Sequence, residues 1–246
     1  MILMFPTKRL PQKITPCPIA EAILEIRFQS RFPDEAVFGI LYKELSSQFS
    51  GIAPVALPIL QVPEAVRKNE EGLKYKPHYR IKQGVFSLQI GPKVIGLTCD
   101  APYVGWGAFL SKFKEHISAA NKSSIIEEIT RAGLRYINFF EQNIFEDSDL
   151  VLKVQEYSLI KNKTTFINII ENGKLKSRVQ VSNDITMTTT HGTKTGSVID
   201  ADTYIEEKLT TPILFEVLEA AHEEEKKIFF GLLNQEFINN RLNPEY

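Results

Sequence analysis

VFSLQIGPKVIGLTCD (Val85–Asp100), APYVGWGAFLSKFKEHI (Ala101–Ile117) and IIEEITRAGLRYINFF (Ile125–Phe140) form the stretch that decides the fold. Val85–Ile90 and Val94–Cys99 are short apolar runs separated by Gly91-Pro92-Lys93, a turn signal, and read as antiparallel neighbours. Leu73–Lys82, broken at Pro77, is expected to join them through Gln83-Gly84 as the third strand of a meander. Pro102 is expected to open a helix. Tyr103, Trp106, Phe109, Leu110, Phe113 and Ile117 lie on one stripe of it, with Lys112, Lys114 and Glu115 off that stripe. Trp106 and Tyr103 therefore read as packing residues. Ile125–Phe140 reads as one long strand. Arg131, Gly133, Arg135 and Ile137 share one face, and Ala132, Leu134, Tyr136 and Asn138 share the other.

Upstream, Pro6, Pro11, Pro16 and Pro18 favour an extended arm over residues 1–18. Ala22–Gln29 alternates as a half-buried strand, with Leu24, Ile26 and Phe28 opposite Ile23, Glu25, Arg27 and Gln29. Pro33-Asp34-Glu35 opens a helix carrying Val37, Ile40, Leu41, Leu45 and Phe49, which ends at Ser50-Gly51. Pro54, Pro58 and Pro63 make the next segment a loop or edge segment.

Downstream, Leu150–Ile160 alternates as a strand. Thr164–Ile170 and Leu175–Val181 flank Asn172-Gly173, a strong hairpin signal in which both turn residues are expected at positive φ. Ile185–Thr190 and Val198–Ile205 flank a second hairpin tip, His191–Gly196. Thr211-Pro212 caps a long helix with Leu214, Val217, Leu218 and Ala221 on its stripe, a polar gap from His222 to Lys227, and the stripe resuming at Ile228. Gly231 or Asn234 is where it would bend.

Strands and helices segregate rather than alternate, so the class is α+β, with antiparallel sheets, helices packed on one face and a long C-terminal helix. The expected organisation is an arm (1–18), an N-terminal lobe (19–145) and a C-terminal meander with its helix (146–246), packed as one unit. Whether the two halves are similar lobes stays open, since they share no sequence identity.

The chain has 246 residues, 43% of them hydrophobic and 24% charged, which is ordinary for a globular protein. Its two cysteines, Cys17 and Cys99, set no disulfide framework and are expected to be small buried side chains. No run of about 18 apolar residues occurs, so no membrane span is expected, and MILMFP is too short for a secretion signal. A cytoplasmic protein is the expectation. Net charge is −1, but Ile199–Tyr246 holds 11 acidic against 4 basic residues. Gln61–Thr98 and Lys153–Lys194 each hold 7 basic against 3 acidic. That split reads as solvated strand faces or as a basic surface for an anion, a nucleic acid or an acidic partner.

No P-loop, dinucleotide fingerprint or nucleophile elbow occurs. His78, His116, His191 and His222 lack metal-ligand spacing, so no metal or cofactor is expected. His222 and the Glu223–Glu225 run read as a surface helix. Cys99 has no histidine nearby in sequence and carries little case as a nucleophile. The candidate ligand-binding set is Glu25, Arg27, Arg131 and Arg135. Glu25 and Arg27 share a face of one strand, and Arg131 and Arg135 share a face of another. They form either a structural ion-pair ladder or an arginine-lined surface that grips a carboxylate or phosphate.

PIAEAILEIRF (Pro18–Phe28), FSLQIGPKVIGLTC (Phe86–Cys99), PYVGWGAF (Pro102–Phe109) and RAGLRYINFFE (Arg131–Glu141) together resemble a sporadically distributed family of bacterial proteins with no assigned activity. The resemblance extends to the C-terminal helix with His222 and Phe229. It implies no catalytic residues, and its scattered occurrence is that of mobile or defence-linked genes. The expected function is therefore a non-enzymatic protein-binding or accessory role, in a defence or toxin–antitoxin-like setting, with a protein partner and a homo-oligomer plausible. Two alternatives remain: an enzyme or small-anion binder using the Arg/Glu face, and nucleic-acid binding, less favoured, through Lys74, Lys76, Arg80, Lys82, Lys174, Lys176 and Arg178.

Overall fold

The computed structural model describes residues 10–49, 51–161, 163–189 and 192–246. The start of the expected arm, Ser50 and His191 lie outside the described residues. The class is α+β: antiparallel strands and, among the described residues, six α-helices, the longest of them near the C-terminus. The strands are β1 (Ile19–Gln29), β2 (Val55–Ala56), β3 (Tyr79–Gln83), β4 (Phe86–Gly91), β5 (Val94–Asp100), β6 (Glu128–Phe140), β7 (Lys153–Val154), β8 (Tyr157–Ser158), β9 (Thr165–Asn172), β10 (Leu175–Thr189) and β11 (Gly192–Ile205). The helices are α1 (Asp34–Leu45), α2 (Glu64–Asn69), α3 (Glu71–Lys74), α4 (Trp106–Lys122), α5 (Thr211–Leu232) and α6 (Gln235–Arg241).

The chain forms two compact units that are interleaved along the sequence. One comprises Glu21–Leu134 and Tyr204–Glu219; the other comprises Met1–Ala20, Arg135–Thr203 and Ala220–Tyr246. In the first unit the hydrogen-bonded strand order is β2-β3-β4-β5-β1-β6, and in the second it is β6-β11-β10-β9. Strand β6 gives its first half to one unit and its second half to the other.

The two units share a connectivity. The first runs β1, a helical excursion, β3, β4, β5, α4, and the second runs β6, an irregular excursion, β9, β10, β11 and then the part of α5 from Ala220 onward. Spatial order matches too: β3-β4-β5-β1 against β9-β10-β11-β6. Two similar lobes are thus present in topology, although the sequence halves show no likeness.

In the first unit, Ala22, Leu24, Ile26 and Phe28 of β1 are buried, as are Ile95, Leu97 and Cys99 of β5, while Glu25 and Arg27 point to the other face. Register is fixed by that alternation, with Glu25 opposite Gly96 and Arg27 opposite Val94. Helices α1 and α4 bury Val37, Leu41 and Leu45, and Phe109, Leu110, Phe113 and Ile117. The second unit's core joins Phe140, Val179, Val181, Ile199 and Ala201 from its strands to Ile228, Phe229, Leu233, Phe237 and Ile238 from its helices.

Several sequence expectations change. Leu73 and Lys74 close the short helix α3, which follows α2, instead of opening the expected strand. Pro63 caps a run of helix formers there, and the ladder begins only at Tyr79. Helix α4 starts at Trp106 and not at Pro102, because Gly105 at φ +89° holds the preceding loop away from the helix. Tyr103 still packs edge-on against Phe109. Leu150–Ile160 forms only the short β7–β8 pair, since Leu150, Leu152 and Ile160 rest on the core without a ladder. In the β9–β10 hairpin Asn172 pairs with Leu175, so the turn is Gly173-Lys174 and only Gly173 has positive φ. Strand β11 begins at Gly192, within the expected second tip. Helix α5 ends at Leu232, and α6 restarts with the Asn234 side chain accepting a hydrogen bond from the Phe237 amide at 2.8 Å. Residues 12–15 of the arm hydrogen-bond to residues 242 and 245. Cys17 is exposed rather than buried; Cys99 is buried.

Candidate functional site

Three of the four candidate residues meet. The Glu25 carboxylate oxygen Oε1 accepts from Arg27 Nε and from Arg131 Nη1, both at 3.0 Å. Strand alternation places Glu25 and Arg27 side by side on β1, and β6 brings Arg131 alongside. Each guanidinium also lies over an aromatic ring: Arg27 over Tyr75 at 4.5 Å and Arg131 over Tyr204 at 4.3 Å. Gly133 makes room for this stack, because a Cβ there would come within 3.0 Å of Arg131 Nη1 and 3.1 Å of Tyr204 Cβ. Arg131 is buried, at 6% exposure.

The fourth, Arg135, forms a two-pronged pair with Asp200, with Nε to Oδ1 and Nη2 to Oδ2 both at 2.6 Å. The arrangement holds guanidinium groups against carboxylates and aromatic rings. Arg27 is the more accessible of the two guanidiniums around Glu25, with its side chain 30% exposed against 8% for Arg131.

The basic residues considered for nucleic acid divide between β3 and its approach in one unit and the β9–β10 hairpin in the other. Several are engaged locally: Lys82 with Asp100 at 2.7 Å, Lys74 with Glu71, and Arg178 with Gln180.

A cleft of about 240 Å³ opens in the first unit beside α1, α2 and β3. Lys68 sits between Glu35 and Glu64 there, Arg67 Nη1 meets the His78 ring at 3.1 Å, and Phe38 stacks on Tyr79 with centroids 3.7 Å apart. Burial and the Arg67 charge push the His78 pKa down. A second polar cleft of about 440 Å³ in the other unit is lined by Lys161, Lys163, Asn183 and Asp184 among others.

Sequence reasoning missed the interior of α5. Glu224 and Glu225 are buried, not part of a solvated acidic face. Burial raises the Glu225 pKa well above the ordinary carboxylate value, and its Oε1 has no hydrogen-bond partner. One helical turn away, His222 Nδ1 meets the Tyr136 hydroxyl at 3.1 Å, and burial lowers its pKa to about 4. The signal was available: 218, 221, 225, 228 and 229 continue one helical stripe, so 225 falls inside it.

Among the described residues no group of three or more His, Cys, Asp or Glu side chains could hold a metal ion, and no helix is long and apolar enough to cross a membrane. Cys99 is buried with its thiol pKa raised, which disfavours the nucleophilic thiolate. No protein-family model matches the chain. No curated protein matches it either.

Proposed function

We propose that this chain is a non-catalytic protein-binding accessory protein that engages its partner through the apolar surface of residues 151–169. The observation that carries this is a concentration of exposed apolar side chains. Of ten large hydrophobic residues exposed among the described residues, five fall in that segment: Val151, Val154, Tyr157, Ile167 and Ile169. Val151 and Tyr157 are 77% and 74% exposed. Exposed apolar side chains that gather into one surface patch mark contact surfaces, and this segment supplies half of the large ones exposed among the described residues.

The engaged state of Arg27, Arg131 and Arg135 favours this reading over an anion-handling site, because each already has a carboxylate partner. The resemblance to a sporadically distributed bacterial family adds the setting, an accessory in a defence or toxin–antitoxin-like system in the cytoplasm. The test is affinity purification of the tagged chain from its native host with neighbouring genes intact, alongside Tyr157→Asp and Val154→Asp. A stoichiometric protein bound by the parent chain and lost from the variants is expected. A chain that binds neither another protein nor a second copy of itself, or a partner held equally by the variants, overturns the proposal.

A further inference from the structure

The geometry points to a second copy of this chain as the occupant of the β9 edge, joined by antiparallel pairing of β9 with itself about a two-fold axis through Asn168. This inference rests on the protein-binding reading above and deepens it by naming one partner.

β9 ends the strand order of its unit and has no outer neighbour among the described residues. The Asn183 amide donates to the Thr164 carbonyl, and Ser182 is the partner of Thr165, so even-numbered residues of β9 bond inward to β10. The amides and carbonyls of Thr165, Ile167, Ile169 and Glu171 therefore face outward. The Ile169 amide confirms the parity, since it is taken up by the neighbouring Asn168 side chain at 2.8 Å instead of by β10. Edge strands in folded proteins are commonly blunted with lysine, proline or a bulge. Residues 165–172, TFINIIEN, contain neither lysine nor proline, and Ile167 and Ile169 are 51% and 56% exposed.

The sequence of the strand selects the partner. FINII is close to a palindrome about Asn168. A two-fold axis there sets Ile167 opposite Ile169 of the second copy, both with outward-facing amides, as a hydrogen-bonded pair requires. It sets Phe166 opposite Ile170 and Thr165 opposite Glu171. Like meets like on both faces, and no charge opposes its own kind. Centring on Ile169 instead would place Ile167 against Glu171 and Asn168 against Ile170. Centring on Ile167 would place Phe166 against Asn168. Only the Asn168 axis matches apolar with apolar on each face while keeping the hydrogen-bond parity. Formation of the pair exchanges the Asn168–Ile169 side-chain bond for ladder bonds, leaving the two Asn168 side chains facing each other.

The experiment uses the full chain. Sedimentation equilibrium over a wide concentration range is expected to show monomer–dimer exchange, and Ile169→Lys, which puts a charge on an exposed edge position, is expected to shift it to monomer with a far-ultraviolet spectrum of the same folded shape and a melting temperature that no longer rises with concentration. Independently, Asn168→Cys in a Cys17→Ser background places two thiols in a non-hydrogen-bonded pair, where Cα atoms are about 4.5 Å apart, within the disulfide range of about 4.4–6.8 Å. It is expected to form an intermolecular disulfide under mild oxidation, at least tenfold faster than Glu171→Cys in the same background. A monomer at all concentrations, a dimer that survives Ile169→Lys, or equal cross-linking of the two cysteine variants overturns the inference. If a heterologous partner is still captured and still lost from Tyr157→Asp, the protein-binding reading stands while the self-pairing falls; loss of both removes the wider reading.

Discussion

At the residue scale, the ion pairs around Glu25 carry a sharp expectation. Arg131 is buried, and Glu25 neutralises it while also accepting from Arg27. Glu25→Gln keeps the shape but removes a negative charge that faces the buried Arg131 guanidinium. Because Glu25 is itself about a quarter exposed, water screens part of the effect. The expected loss is about 1–3 kcal/mol of unfolding free energy, read from urea denaturation midpoints at constant m-value. A double-mutant cycle with Arg131→Met should show a coupling energy between the two positions, since the charge that Glu25 faces goes with it. The Glu25–Arg27 juxtaposition was legible in sequence because residues two apart on a strand share a face. The meeting with Arg131 was legible only as a condition, that β1 and β6 be neighbours, and they are. The partner of Arg135 was not legible. Asp200 lies 65 positions away in the acidic C-terminal segment, and no local pattern links strands that pair across that separation.

At the scale of elements, helix α5 holds two titratable groups whose signs oppose. His222 is held neutral by burial, with its pKa lowered from 6.5 to about 4, and His116 on α4 is shifted likewise. Between about pH 6.5 and 4 the unfolded chain binds protons at these positions that the folded chain does not, so stability falls on acidification through that window. Each site accounts for on the order of 3 kcal/mol, and His222→Gln should flatten its share of a melting-temperature profile. Glu225 works the other way. Its raised pKa means the folded chain keeps a proton that the unfolded chain releases above about pH 4.5, so its contribution is fully present below that value and is lost as pH rises. Glu225→Gln mimics the protonated acid. It should match the parent protein below pH 4.5 and become more stable than it by about 1.4 kcal/mol per pH unit above, until the folded pKa is reached. Equal profiles would show that Glu225 is ionised in the fold.

Close approach of elements gives a third expectation. A Cβ on Gly196 of β11 would collide with the Phe140 carbonyl of β6. Gly196→Ala must push the two strands apart locally, and a loss above about 2 kcal/mol in the unfolding transition is expected. Sequence reasoning placed Gly196 in a hairpin tip because glycine between Thr and Ser reads as a turn. A glycine required by a neighbouring backbone looks the same in sequence as one required by φ.

At the scale of the whole molecule, the class and most long elements were legible because hydrophobic period is local information. The interleaving was not, because it depends on which segment fills which core. A division near residue 145 follows the order of strand runs, whereas the compact units exchange chain at residues 20, 134, 203 and 219. The shared connectivity of the units was equally hidden, since strand order can be preserved with no residue retained. The interleaving has a direct consequence. Glu21–Leu134 alone lacks Tyr204–Glu219, which supplies the buried side chains Ile205, Leu209, Leu214 and Leu218 and a backbone bond from the Leu209 amide to the Ile129 carbonyl. Each of those leucines is worth about 1.5–3 kcal/mol when buried, and a domain has only about 5–15 kcal/mol to lose. The 21–134 fragment should therefore lack a cooperative thermal transition and show poor amide dispersion by NMR. The same fragment with residues 204–219 joined to its C-terminus through a flexible Gly/Ser linker should recover both. A fragment 21–134 that melts cooperatively on its own would mean that the contiguous segment, and not the interleaved unit, is what folds.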